Sequence, residues 1–225
     1  MKNKINEKLM SSSFDKLLVL VLMVLGMTGT LQKMMAAQLQ FIPQAGYSQV
    51  IGSNGSDWKP GYNLGLDIIN LKLVDSGGIP LNYGMHVAYN RFQVDSDNML
   101  ETGGKEMHIE REKGVKDTWD VTSFARYLSP FLQSKNFRHW LDLGLGVHYI
   151  CTSAVEVKGF YRFGDTAVNR EISRDSITDI SPSITFGITA MIAQQVQTSV
   201  RYQHYFESGQ SSNGTILLSL GMIAR

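Results

Sequence analysis

The chain of 225 residues holds one cysteine, Cys151. It has no partner for an internal disulfide, and no ligands of metal-binding spacing stand beside it. His-x-His and Cys-x-x-Cys spacings are both missing. A metal centre needs several ligands in fixed geometry, so no metal and no cofactor is expected. After the first 37 residues no apolar run is long enough to cross a bilayer as a helix. A surplus of basic charge is lacking too, since 21 Lys and Arg face 20 Asp and Glu.

Residues 1–37 have the make-up of a signal peptide. Lys2, Lys4, Lys8 and Lys16 form a basic start, residues 17–27 are almost unbrokenly apolar, and Met35-Ala36-Ala37 supplies a cleavage position. That apolar run of about eleven residues is too short for a spanning helix. Removing 1–37 takes away Lys2, Lys4, Lys8, Lys16 and Lys33 together with Glu7 and Asp15. The formal charge then moves from +1 to −2, five positive and two negative charges being lost. The remaining domain, 38–225, therefore offers a nucleic-acid partner no electrostatic support. Export without disulfides fits a protein of the bacterial envelope.

What is present is a repeated alternation. Tyr62, Leu64, Leu66 and Ile68 alternate with Asn63, Gly65 and Asp67, and Leu141, Leu143, Leu145 and Val147 alternate with Asp142, Gly144, Gly146 and His148. Eight strands are predicted, over 45–52, 61–72, 81–94, 119–128, 139–151, 181–192, 196–207 and 215–224. The fourth has an ambiguous face, because Phe124 stands in line with Thr122 and Arg126. One face of the set is greasy and the other is small, polar or charged, which suits lipid outside and polar groups inside. Odd connections (53–60, 95–118, 152–180 and 208–214) are the longer and even ones the shorter. In an up-and-down barrel the two sets lie at opposite ends, the longer outside the cell. The expectation is an all-β fold: an eight-stranded antiparallel up-and-down transmembrane barrel in the bacterial outer membrane. Tyr62, Tyr83, Tyr89, Phe92, Trp119, Phe131, Phe137, Trp140, Tyr149, Tyr202 and Phe206 lie mostly near strand ends, as interfacial girdles would.

The segments 59–66, 84–92, 143–149 and 200–202 carry a resemblance. In them the chain resembles the small outer-membrane β-barrel family that includes OmpX, OmpW and the membrane domain of OmpA. The resemblance implies outer-membrane lipid and the barrel assembly machinery as partners. It also implies a non-enzymatic role in structural support, surface interaction or OmpW-like passage of small or hydrophobic solutes. Members of the family usually end in an aromatic ring that the assembly machinery reads, whereas this chain ends Gly221-Met222-Ile223-Ala224-Arg225.

Strand parity places Asn63, Asp67, Asn82, His86, Asn90, Asp142, His148, Arg201 and Gln203 inside, and Arg126, on the strand of ambiguous face, is counted with that interior polar network as a pairing partner. An eight-stranded barrel is just wide enough for side chains to fill. A structural network is the first expectation, with Asp67 or Asp142 against Arg201 or Arg126, since buried charges must pair. A narrow polar path or a ligand pocket at one end is the alternative. His86 and His148 share the inward face and lack a third metal ligand.

Residues 201–207 are similar in texture to the late strand of the lipid A 3-O-deacylase barrels. That likeness implies a His–Ser pair, but Phe206 stands where the nucleophile belongs after His204, leaving only Ser208 or Ser211 to substitute. A lipid A-modifying enzyme is thus the alternative function, and no catalytic residue is expected. Segment 95–118 mixes Glu101, Lys105, Glu106, Glu110, Arg111, Glu112, Lys113 and Lys116, while 152–180 carries Lys158, Arg162, Arg170 and Arg174. Both are expected to be solvated, with a surface ligand as the functional alternative.

Overall fold

The computed structural model describes residues 39–52, 55–71, 74–76, 79–100, 107–130, 134, 136–163, 166–192, 195–206 and 213–223. Side chains are described for these except 74–76, 79–80, 162–163 and 166. The expected signal peptide, 1–37, lies outside the described residues, as do Glu101, Lys105, Glu106, Phe131, Ser208 and Ser211.

Alternating side chains become the two faces of strands, and eight strands close on themselves. The wall consists of β1 (Leu39–Gly52), β2 (Gly61–Asn70), β4 (Ile79–Gln93), β6 (Val115–Leu128), β7 (Phe137–Thr152), β10 (Ile177–Ile192), β11 (Val196–Tyr205) and β12 (Asn213–Met222). Each pairs antiparallel with the next, and β1 pairs with β12. No unpaired edge is left in the ring. From Gln44 the ladder passes through Gly65, Ala88 and Asp120 to His148. In the other direction it passes through Gly221, Gln197 and Met191 to Arg138. The two arrivals on β7 are ten residues apart, His148 against Arg138, which is the shear of the barrel. Eight strands with this stagger tilt steeply and leave a bore that side chains can fill. The wall strands run from 10 to 16 residues, enough for a tilted crossing of a bilayer.

The outer face carries Leu64, Leu143, Leu145, Phe186, Ile188, Val200, Leu218 and Leu220, and Leu143 is 53% exposed. Toward the long-loop end Tyr47, Tyr62, Tyr89, Trp119 and Tyr149 form a row across β1, β2, β4, β6 and β7. Ring centroids there lie 6.1 Å apart for Tyr62–Tyr89 and 4.8 Å for Tyr89–Trp119. An apolar belt with such a row is a wall made for hydrocarbon, and closure satisfies its backbone groups there. Phe92 and Trp140, expected in the girdles, instead point inward and are buried, because their strand parity is that of Asn90 and Asp142.

Other departures are local. Strand β1 begins at Leu39, six residues before the predicted start. Pro43, which has no N–H to donate, pairs with Leu66 of β2 one residue outside the β12 ladder, so the strand runs through it. The Gly-rich turn at 74–80 contains a short strand, β3 (Val74–Ser76), paired with the start of β4. The charged segments expected as solvated loops hold a second sheet. In it β5 (His108–Lys113), β8 (Val155–Phe163) and β9 (Thr166–Arg174) pair in the order β5-β8-β9. A one-turn helix, α1 (Ser96–Met99), lies beside it, with the Asp95 carboxylate accepting from Asn98 N at 3.3 Å. Gly114, with φ +156°, turns the chain from β5 into β6, and a Cβ there would stand 3.0 Å from Val155 Cγ2.

This sheet roofs the long-loop mouth. Val50, Trp58, Phe92, Val94, Met99, Leu100, Val155 and Val157 form one buried apolar cluster beneath it. Lys59 Nζ meets Glu112 Oε1 at 2.6 Å, Arg174 meets Asp57 at 2.8 Å and Arg111 meets Glu156 at 2.6 Å. Lys116, read from the sequence as a solvated charge, is buried below Trp58, its Nζ 6.0 Å from the ring centroid.

Candidate functional site: the polar interior

The lumen contains two polar storeys. The lower is a four-charge cluster. Arg126 on β6 and Asp142 on β7 are direct cross-strand neighbours, joined by Nε–Oδ1 at 2.7 Å and Nη2–Oδ2 at 2.9 Å. Arg201 on β11 spans the lumen to Asp67 on β2, with contacts of 2.6 and 3.1 Å. The two forks touch, since Arg126 Nη2 lies 3.5 Å from Asp67 and Arg201 Nη2 lies 3.6 Å from Asp142. Gln197 donates to Asp67 at 2.8 Å and Thr189 to Asp142 at 2.7 Å. Two guanidinium groups and two carboxylates make the cluster neutral. Paired forks and extra donors are what allow charges to sit buried in a narrow bore.

His86, cross-strand from Asp67, places Nδ1 2.6 Å from Oδ1 of that carboxylate. Arg201 Nη1 also lies 3.0 Å from this nitrogen, but the shorter contact is to the carboxylate, which accepts, so Nδ1 donates to Asp67. Phe124 is packed into the same storey, which resolves its ambiguous face. Its ring lies 5.0 Å from the Arg126 guanidinium carbon and 5.7 Å from that of Arg201. Both cross-strand neighbours are glycines, Gly84 and Gly144. A Cβ at Gly84 would stand 2.9 Å from Phe124 Cε2 and one at Gly144 would stand 3.2 Å from Phe124 Cβ, so the bare positions make room for the ring.

In the upper storey, nearer the long loops, Asp120 and His148 are cross-strand partners joined through His148 Nδ1. The imidazole lies flat on Tyr205, with centroids 3.6 Å apart and planes at 10°. Asn90 donates to Asp120 at 2.8 Å and to Thr118 at 3.0 Å, and Asn63 donates to Asn90 at 2.7 Å. Ser219 donates to Asn63 at 3.2 Å.

All eight network positions named from sequence (Asn63, Asp67, His86, Asn90, Arg126, Asp142, His148 and Arg201) are buried in the lumen. The two histidines belong to different storeys and each is taken by its own aspartate. Gln203 is also buried and donates to Ser183 at 3.3 Å, while Asn82 lies half-buried at the short-turn end and donates to Asn70 O at 2.9 Å. Sequence reasoning missed Asp120, Gln197 and Thr189. Their inward parity was a usable signal for Asp120, two residues from Thr118 and Thr122. Among the described residues no group of three His, Cys, Asp or Glu is placed to hold a metal.

His204 lies on the outer face, beside Tyr202 and Phe206. Its Nδ1 is 3.2 Å from Tyr202 Oη, and no serine is recorded against it among the described residues.

No protein-family model matches the chain, and no curated protein matches it. Among solved structures, Neisserial surface protein A is similar at 13% identity and a TM-score of 0.48, covering 83% of this chain and 96% of that one. Ail, the attachment invasion locus protein of Yersinia pestis, solved with the heparin analogue sucrose octasulfate, is similar at 13% identity and a TM-score of 0.45. That match covers 83% of this chain and 99% of Ail. The outer membrane enzyme PagL is similar at 14% identity and a TM-score of 0.45, covering 84% and 99% of the two chains. Closure of the present barrel rests on its own strand pairing.

Proposed function

We propose that the chain is an integral protein of the bacterial outer membrane that passes nothing through its lumen and works at its surface. The single observation that carries this reading is the double obstruction of the bore. The neutral four-charge cluster crosses it in the lower half, and the Trp58–Phe92 cluster roofs the long-loop mouth. Among the described residues the wall offers no lateral opening, because each pair of neighbouring wall strands is joined by a ladder without a register shift. Passage of small or hydrophobic solutes is therefore the less supported of the roles that the sequence suggested. What remains at the surface is the folded roof, with Arg111 and Arg170 exposed on β5 and β9 and Lys158 half-buried on β8 as places for a surface partner. Outer-membrane lipid covers the apolar belt, and the assembly machinery delivers the chain to it.

Reconstitution into planar bilayers tests the reading. The intact protein gives no steady unitary currents, and regular voltage-independent channel steps from the pure protein overturn it. Heat-modifiable migration in SDS accompanies the correctly closed form.

A further inference from the structure

The short-turn end of the barrel differs from the roofed end, because it opens as a bowl of about 170 Å³. Its floor is Arg126 and Trp140, and its wall includes Leu128, Met191 and Arg138. Arg126 has its charge answered by Asp142 and Asp67. Arg138 differs. It is exposed on the rim, cross-strand from Met191, and among the described residues no carboxylate is recorded in ion-pair distance of it. Among the described residues, a cation with no recorded carboxylate partner thus stands over a concave apolar and aromatic surface. Two polar amides, Gln40 and Asn82, also line it, Asn82 being cross-strand from Arg126. The Asn82 side-chain nitrogen donates to Asn70 O at 2.9 Å.

We infer that this bowl is a binding site for a small amphiphilic carboxylate, whose anionic head meets Arg138 and whose hydrocarbon lies against Trp140, Leu128 and Met191. A single guanidinium matches a single negative charge in a two-oxygen fork. A phosphate dianion would call for more donors than the rim supplies. The volume is below the roughly 300–1,000 Å³ of sites for drug-sized ligands, which limits the occupant to a short chain. Hexanoate is a probe of suitable size. The site stands apart from the surface role proposed above and from its roof, so either reading can fail alone.

The test uses the protein in lipid nanodiscs, open on both sides, titrated calorimetrically with hexanoate while the Met191 methyl resonance is followed by NMR. The expected result is saturable one-site binding with a shift of that resonance. Arg138→Gln weakens binding about tenfold or more, the size of a lost charge-assisted contact, and Arg138→Lys recovers part of it. Because Arg138 is exposed, both variants keep the heat-modifiable barrel. The inference is overturned if Arg138→Gln binds as well as the parent, if hexylamine binds as tightly as hexanoate, or if inorganic phosphate displaces hexanoate at equal concentration. Absence of saturation at millimolar hexanoate overturns it as well.

Discussion

In the wall, Leu143 and Leu145 face outward and Asp142 faces inward, whereas in the roof Val155 and Val157 face inward and Glu156 and Lys158 face away from the apolar cluster. The two regions are built from the same alternating strands with opposite sense. The difference lies in what surrounds them. Hydrocarbon outside the wall reverses the usual rule, so the polar residues must satisfy one another in the bore. Water outside the roof restores the rule, and the apolar residues collapse together. Strand β6 crosses the boundary: Lys116 lies beneath Trp58 in the roof, and Arg126 lies in the charged cluster ten positions later.

The largest effect that sharpens this contrast is expected in the wall. Arg201→Ala leaves Asp67 buried without its main partner and costs about 3–5 kcal/mol. Urea unfolding of the protein in lipid vesicles measures it, and a loss within the range for exposed pairs, roughly 0–1 kcal/mol, would show that water reaches the cluster. Trp58→Ala removes the centre of the roof and costs that region roughly 3–5 kcal/mol when the cavity stays open. Hydrogen exchange of the β8 amides reports it, while the wall amides and heat-modifiable migration stay unchanged. Coupled loss of wall and roof would mean that the two regions fold as one unit.

A smaller effect follows from placing charge on the lipid side. Leu143→Arg near the middle of the belt costs about 2–4 kcal/mol in a bilayer. The same protein with Lys158→Leu on the roof changes little, and the unfolding midpoints of both decide whether the two regions meet different solvents. The smallest effect is at the clasp. The Lys59 ammonium is held above the ordinary lysine range first by its hydrogen bond to Glu112, against a lowering by partial burial. Its contribution is complete below the unfolded lysine value and disappears as pH rises through the raised one. The clasp is solvent-exposed, so Glu112→Gln costs at most about 1 kcal/mol and returns the Lys59 titration toward normal, as NMR of its side chain would record.

Much of the wall was readable before any coordinates. A period of two places Leu64 against Asp67 and Leu143 against Asp142 on opposite faces, whatever the strands pair with. Loop lengths then set which ends lie together. The roof was hidden because Val155, Val157 and Ile109 stand among Lys, Arg and Glu in segments whose composition reads as solvated. Short strands that bury one face on a few distant residues leave a weak local signal. Phe92 and Trp140 were misplaced for a related reason, since ring type was weighed there over strand parity.

The sequence by itself determined the two faces of the wall, because side-chain alternation is a property of an extended backbone and needs no partner. It also determined which residues had to be satisfied inside once lipid lay outside. Only the tertiary structure decided how. The pairs Arg126–Asp142, Asp67–His86 and Asp120–His148 follow from register between neighbouring strands, whereas Arg201 meets Asp67 across the bore from a strand that is not its neighbour. That contact, and the neutral cluster it completes, exists because eight strands close with one particular stagger, and closure is a relation between distant segments that no single segment encodes.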